Sequence, residues 1–245
     1  KMYGDLKLTG TTSKPLLNGT INIRQGKLAI DFMKAPYTIN DKITFKNSDI
    51  IFNDFKILDK FKHVATVNGT VKTGYFNDFN INLNIAPNNF QCINTTERDN
   101  DLFYGTVYAS GLVAITGKPD KINMNIAVKT DNKTILYLPL SSSGEVVENN
   151  FINFTNNNPD GIFIEEVAPV KQESSTDMNL TFDLQNTPEA EAQIIIDKKL
   201  GDIIKANGSG NLKMEVNPGK DLFKIYGDYN IEKGDYLFTL QGVIN

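Results

Sequence analysis

Alternation of apolar and polar residues along the whole chain is the feature that most restricts its fold. In FNINLNI every second residue is apolar, and asparagines fill the positions between. The same period recurs in INMNIAV, MNLTFDL, LKMEV and DYLFTL. A period of two puts successive side chains on opposite faces of a strand, so each segment predicts a strand with one apolar and one polar face. This pattern favours a mainly antiparallel sheet with one dry and one wet surface.

The apolar faces of these strands are the candidate ligand-binding surface. If they line a groove, its affinity for a ligand would come from buried apolar area, at about 25 cal/mol per Å². The same side chains would pack against one another if the strands formed a closed sandwich, and the sequence leaves both arrangements open. The candidate lining residues are Phe79, Ile81, Leu83, Ile85, Ile122, Met124, Ile126, Val128, Met178, Leu180, Phe182, Leu184, Leu212, Met214, Val216, Tyr236, Phe238 and Leu240.

Glycines punctuate the strands at similar intervals. The segments GTINIRQGKLAI and GDYNIEKGDYLFTL align glycine to glycine, which indicates a repeating unit of strand, tight bend and strand. Asn-Gly pairs begin at Asn18, Asn68 and Asn207. They fit either two-residue hairpin turns or positions at strand starts beside a bulge.

Two regions depart from the strand pattern. The polar segment 141–176 predicts a long connection. Its stretch NNNPDGIFIEE resembles a calcium-binding loop, but Val167 stands where the closing acid is required, so a plain turn is expected. The segment TPEAEAQIIID fits either a short helix capped by Thr187 or a turn followed by a strand.

No catalytic or metal-binding constellation is recognisable. His63 is the only histidine and Cys92 the only cysteine, so neither a zinc site nor a Cys-His nucleophile is indicated. We expect His63 to be a tolerated strand residue and Cys92 a buried, inert thiol. The segment NGSGNLK lacks the third glycine of a dinucleotide-binding loop. The sequence therefore predicts a protein that is not an enzyme and needs no metal or cofactor.

Charge and hydropathy limit the partners. The net charge is -4, and Arg24 and Arg98 are the only arginines, whereas a nucleic-acid surface needs clustered basic residues, so no nucleic-acid partner is expected. The longest apolar runs are far shorter than the roughly 20 residues of a membrane-spanning helix. A start at Lys1 and an end at Asn245 lead us to expect a piece of a longer protein, with any anchor outside it.

The C-terminal part resembles a known family. The segments IIIDKKLGDIIKANGSGNLKMEV and IYGDYNIEKGDYLFTLQGVIN are similar to the C-terminal domain of TamB proteins, especially those of Bacteroidetes. Upstream, FQCINTTERDNDLFYGTVYASGLVAITG and TILYLPLSSS resemble the same family, so the resemblance covers most of the chain. The positions that match the family pattern are Asp197, Gly201, Asp202, Ile204, Gly208, Gly210, Leu212, Gly227, Tyr229, Ile231, Gly234, Tyr236 and Phe238.

The resemblance implies an all-β fold, with one elongated, strongly curved, mainly antiparallel sheet folded like a taco shell around an apolar inner groove. Residues 1–245 would form one continuous segment of it. Such AsmA-like proteins are anchored in the inner membrane, cross the periplasm, and support phospholipid transport to, or protein assembly in, the outer membrane. The implied partners are phospholipid acyl chains and, through regions outside this chain, an Omp85-type outer-membrane protein.

The sequence also allows a function of a different class. The chain could be a β-sandwich surface binding module or adhesin that recognises carbohydrate or protein through its loops. Sugar binders present exposed aromatic platforms, and the absence of tryptophan weighs against this alternative. Tyr3, Tyr75, Tyr104 and Tyr108 could still supply such a platform.

Overall fold

The computed structural model describes residues 1–100, 103–139, 177–197, 201–220 and 222–237. These residues form an all-β, strongly curved structure, which confirms the predicted fold class. A turn of 3-10 helix, Pro218–Lys220, is the one helical element among them. The predicted connection 141–176, with its calcium-like stretch, lies outside the described residues. The strands are β1 (Met2–Gly10), β2 (Pro15–Ile30), β3 (Ala35–Lys46), β4 (Asp49–Leu58), β5 (Val64–Lys72), β6 (Asn80–Asn88), β7 (Phe90–Thr95), β8 (Tyr104–Lys118), β9 (Lys121–Thr130), β10 (Ile135–Pro139), β11 (Asp177–Asn186), β12 (Glu191–Asp197), β13 (Asp202–Asn217) and β14 (Leu222–Leu237).

All fourteen strands belong to one sheet. Consecutive strands from β1 to β6 pair antiparallel, and β6 then pairs with β8. Beyond β8, β9 pairs in parallel with β11 and β10 in parallel with β12, while β13 pairs antiparallel with β11, β12 and β14. The sheet is therefore mainly antiparallel, as predicted.

Six strands, β8, β9, β11, β13, β12 and β10, close a ring of pairings. Ala109 of β8 pairs with β9 on one side and β7 on the other, and Gly105 pairs with β10 and β7. Because a residue has only two sides for pairing, β9 and β10 lie on the same edge of β8. β9 and β10 therefore lie end to end in one row of the sheet, and β11 and β12 lie end to end in the next row. The ring of pairings encloses the breaks within these two rows, at 131–134 and 187–190.

Bulges near the middle of long strands contribute to the curvature. The register of β2 against β3 shifts between Ile23 and Gly26, and Gln25 at this bulge has a φ of 52°. In β14 a similar shift in register leaves Glu232 without a paired residue on β13. A bulge bends its strand and increases the local twist. The aligned glycine segments therefore lie in two long strands that each carry a bulge, and not in pairs of strands joined by a tight bend.

The Asn-Gly pairs lie inside strands, so the hairpin interpretation is wrong. Asn18, Asn68 and Asn207 belong to β2, β5 and β13. At Gly69 the φ is 135°, and a Cβ would lie 2.2 Å from the carbonyl oxygen of Asn82. Only glycine allows two paired backbones to approach this closely in such a conformation. At the glycine of each pair, a Cβ would lie 2.0–2.2 Å from a carbonyl oxygen of the neighbouring strand.

The segment TPEAEAQIIID forms a turn and a strand, so the helix alternative is wrong. The Ala190 N–H donates to the Thr187 carbonyl at 3.0 Å, and β12 begins at Glu191. β12 then pairs on both sides, with β10 and β13. Sheet pairing therefore overrides the local capping signal.

A buried core lies where β3 and β7 meet. Tyr37 stacks on Phe90 with 5.0 Å between ring centroids, and its hydroxyl donates to the Gln91 carbonyl at 3.1 Å. Ala35 and Ala65 are buried in the same cluster. β3 and β7 are not neighbours in the sheet, so this contact shows that the sheet bends back on itself here.

Cys92 packs against this core and should be nearly unreactive in the folded protein. Its thiol donates to the Phe90 carbonyl at 3.3 Å, and burial raises the pKa of the thiol to about 12. The thiolate is the reactive form, so very little is present near neutral pH. We expect iodoacetamide to modify Cys92 about a hundredfold more slowly in the folded chain than in urea. Equal rates of alkylation would contradict this placement.

Candidate functional site: an apolar face and a polar crease

The predicted lining residues of β6, β9, β11 and β13 come together on one face of the sheet. Their pairing, with β8 between β6 and β9, forms transverse rows of apolar side chains. One row consists of Leu83, Ile115, Met124, Leu180 and Val216, and the next of Ile85, Val113, Ile126, Phe182 and Met214. Directly paired residues project to the same side of a sheet. We call this surface, made by the candidate residues of these four strands with Val113 and Ile115, the apolar face.

Further rows extend the apolar face along the strands. On one side the row contains Ile81, Gly117, Ile122 and Met178, and on the other Gly111, Val128, Leu184 and Leu212. No charged residue interrupts these rows. Neighbouring strands are about 4.8 Å apart, so the five strand positions span about 20 Å.

Much of the apolar face remains accessible to solvent. Leu180, Leu184 and Val216 are buried, at 6–8% exposure. The candidate residues in β6 and β9 are only partly covered along the whole length of both strands. In a two-layer sandwich the second sheet would cover such positions. The described strands form no second sheet that faces them.

The opposite face is polar, as the alternation predicts. The Asn179 side-chain amide donates to the side-chain oxygen of Asn123 at 3.2 Å. The Asn217 amide in turn donates to the side-chain oxygen of Asn179 at 2.8 Å. These asparagines form a hydrogen-bonded ladder across β9, β11 and β13, so the two faces of the sheet differ sharply in chemistry.

The remaining candidate residues lie at the margins. Phe79 precedes β6 and is half-buried. Tyr236 of β14 pairs with Ile204 and is 57% exposed. Phe238 and Leu240 lie outside the described residues.

A line of polar side chains crosses the sheet where the strands are interrupted, and sequence analysis did not find it. The bulged Gln25 donates its N–H to Asn40 Oδ1 at 2.6 Å, Asp54 to Asn68 Oδ1 at 2.8 Å, and Asn89 to Ser110 Oγ at 2.8 Å. Each donor residue has a positive φ, between 45° and 52°. A bulge leaves a backbone N–H without a ladder partner, and a buried, unpaired N–H is costly. A side chain on the neighbouring strand satisfies it in each case.

The line continues through the second half of the sheet. Thr187 donates its N–H to Thr130 Oγ1, and Tyr108 donates its N–H to Thr134 Oγ1, both at 3.0 Å. The Asn207 amide donates to the Ala190 carbonyl at 3.0 Å. We call the line formed by Asn40, Asn68, Ser110, Thr130, Thr134 and Asn207 the crease. The Asn-Gly pairs at Asn68 and Asn207 were its only signal in the sequence.

Asp59 anchors the β4–β5 turn beside the crease. Its side chain is 0% exposed, Oδ1 accepts the N–H groups of Phe61 and His63, and Oδ2 accepts the Gln91 N–H at 3.0 Å. His63 Nδ1 lies 2.9 Å from Oδ2, and the Asn89 amide lies 3.2 Å from Nε2. Since the amide can donate to Nε2, the network assigns the proton to Nδ1. His63 precedes β5 and is not a strand residue. Its hydrogen bonds give it a structural role in this turn.

The part of the chain that the structure describes offers no metal cluster. No three His, Cys, Asp or Glu side chains there are grouped so that they could hold an ion. The described residues also include no helix with the length and apolar character needed to cross a membrane.

Comparison with protein families gives a decisive match. The model of the TamB C-terminal domain matches residues 53–243, which is most of the chain. The chain belongs to the TamB C-terminal domain family. No curated protein and no solved structure matches it. Membership of the TamB family implies a location in the cell envelope and a role in outer-membrane protein assembly or lipid transport. The TamB family is not a known enzyme family.

The structure explains why several positions of the TamB pattern in β12 to β14 require the residues that they have. Gly201, at a φ of 78°, makes the turn in which its N–H donates to the Asp197 carbonyl at 2.9 Å. At Gly210 a Cβ would lie 2.1 Å from the Asp228 carbonyl oxygen. The Tyr229 hydroxyl donates to the backbone of β13 at 3.2 Å. The pattern therefore specifies one hairpin and the close approach of β13 and β14.

Proposed function

We propose that the apolar face is a groove for phospholipid acyl chains, in a protein that supports phospholipid transport to, or protein assembly in, the outer membrane. The observation that carries this proposal is the set of uncharged, in-register apolar rows that stay partly exposed. An acyl chain offers no hydrogen-bonding groups, so it is bound through apolar area alone. A partly exposed aliphatic surface of this kind also explains why no polar recognition site is needed.

The bend of the sheet supports the groove. The core between β3 and β7 is made by Tyr37, Ala65 and Phe90. Pairing places Ala65 and Phe90 on the same side of the sheet as Ile85 and other residues of the apolar face. Strands that are not neighbours can touch only on the concave side of a bent sheet. At this bend the sheet therefore curves toward the side that carries the apolar face, which supports the proposed groove.

Partners and location follow from the same proposal. Phospholipid acyl chains would be the direct partner, in the periplasm, with an inner-membrane anchor and any contact with an Omp85-type protein supplied by regions outside residues 1–245. The protein would act by shielding acyl chains from water and not by catalysis. The sandwich-type adhesin is not favoured, because it needs two facing sheets, and the described strands form one.

Co-purified lipid tests this function. We expect the protein purified without detergent to retain phospholipid through gel filtration, detected by mass spectrometry of the organic extract. After delipidation it should take up a phospholipid with a photoreactive acyl chain. A chain that holds no lipid before or after this step would refute the groove. Binding of glycans or proteins without lipid would support the adhesin instead.

A further inference from the structure

The turn between β5 and β6 holds two aromatic side chains in an unfavourable conformation. Gly74, Tyr75 and Phe76 have φ values of 52°, 61° and 67°. Left-handed backbone brings Cβ close to the following carbonyl, so bulky residues rarely adopt it. Tyr75 and Phe76 are 44% and 42% exposed. Burial of the rings therefore offsets only part of the cost of this conformation.

Buried and charged groups fix this turn in place. Thr73 is 0% exposed, and its hydroxyl donates to the Ser48 carbonyl at 3.1 Å. The Phe76 N–H donates to Thr73 Oγ1 at 3.3 Å. Asp78 accepts a hydrogen bond from Lys118 of β8 at 2.8 Å. A strained conformation that its surroundings enforce is a feature typical of functional positions.

The surroundings of the turn indicate what it contacts. Exposed lysines end β3 and β5 and begin β9 at this end of the sheet, at Lys46, Lys72 and Lys121. In the other direction the chain passes through Phe79 into Ile81 of the apolar face. Aromatic rings with neighbouring lysines are typical of the interface between a bilayer and water. The turn is thus an aromatic rim that continues into the apolar face.

We propose that Tyr75 and Phe76 insert into the headgroup region of a phospholipid bilayer and dock the rim of the groove there. The purpose of this contact rests on the proposed function, since a groove that exchanges lipid must meet a membrane. The contact itself does not depend on lipid in the groove. A net charge of -4 opposes attraction of the whole chain to an anionic surface. The local aromatic residues therefore drive the docking.

A double variant separates this role from a structural one. Asparagine tolerates left-handed backbone, so Tyr75→Asn with Phe76→Asn should keep or raise the urea midpoint. The same variant should reduce flotation with phosphatidylethanolamine–phosphatidylglycerol vesicles about tenfold. Leu112→Asn is the control, because Leu112 is 49% exposed in β8 and lies on the face opposite Val113, away from this turn. This control should float like the parent protein.

Each outcome of the flotation assay decides the proposal. A parent protein that does not float, or a double variant that floats equally well, would overturn it and leave a protein partner as the explanation of the turn. If the double variant unfolds, Tyr75→Asn alone must still lower flotation. Lipid retained in the groove is measured separately by extraction. If the double variant loses flotation but retains lipid in the groove, the docking role of the turn is supported. If the parent protein floats normally but holds no lipid in the groove, the proposed function is rejected and the docking role of the turn is not.

Discussion

Asp59→Ala should lower the free energy of unfolding by about 3–5 kcal/mol. The carboxylate is fully buried and accepts the N–H groups of Phe61, His63 and Gln91, with His63 Nδ1 as a fourth neighbour. Each buried donor left without a partner costs roughly 1–3 kcal/mol. Urea unfolding at neutral pH, followed by circular dichroism, measures the change.

The control for Asp59→Ala is the removal of an exposed aspartate that does not stabilise a turn. Asp183 is exposed on the polar face of β11, so Asp183→Ala should leave the unfolding midpoint close to that of the parent. Asp59→Asn should be intermediate, because an amide oxygen can replace only part of the acceptor capacity of a carboxylate. If Asp59→Ala unfolds at the same urea concentration as Asp183→Ala, the anchor role of Asp59 is wrong.

Ile126→Arg should abolish lipid capture at a modest cost in stability. In a groove the arginine stem can lie along the apolar face while the guanidinium reaches water, so the loss should be about 1–2 kcal/mol. In a closed core the charge would be buried without a partner, which costs several kcal/mol and would unfold the domain. Leu83→Arg, on β6, should behave in the same way. Urea unfolding and the amount of extracted phospholipid are the two measurements.

Asn125→Arg is the matched control for Ile126→Arg. Asn125 is the preceding residue of β9 and is exposed on the polar face, so this variant adds the same charge without entering the apolar face. It should keep both stability and bound lipid. Failure of Ile126→Arg and Leu83→Arg to fold, or full retention of lipid by both, would argue against the groove.

The two faces of the sheet could be predicted from the sequence, but their assembly could not. Alternation placed Ile81, Leu83 and Ile85 on one face of β6, because strand geometry alone decides this. The row that joins Leu83 to Met124 depends on pairing between distant strands, and a shift by one residue would reverse the faces. Local periodicity contains no information on that register, so the apolar face became visible only in the structure.

Polar features were harder to predict, since their partners are distant in sequence. Asn68 caps the N–H of Asp54 across a strand pair, and nothing local distinguishes this from a hairpin turn. His63 fitted the strand period of FKHVATV, yet its hydrogen bond to Asp59 holds it in the turn. The left-handed Tyr75 and Phe76 gave no signal, because aromatic residues disfavour that conformation.

A crosslinking scan along β9 tests the central claim most directly. Benzoylphenylalanine placed singly at each position from 122 to 128 would be irradiated in protein loaded with phospholipid, and lipid adducts would be measured by mass spectrometry. The groove predicts adducts at Ile122, Met124, Ile126 and Val128 and none at the residues between them. Adducts without this alternation, or on the polar face alone, would contradict the account of the apolar face as a lipid groove.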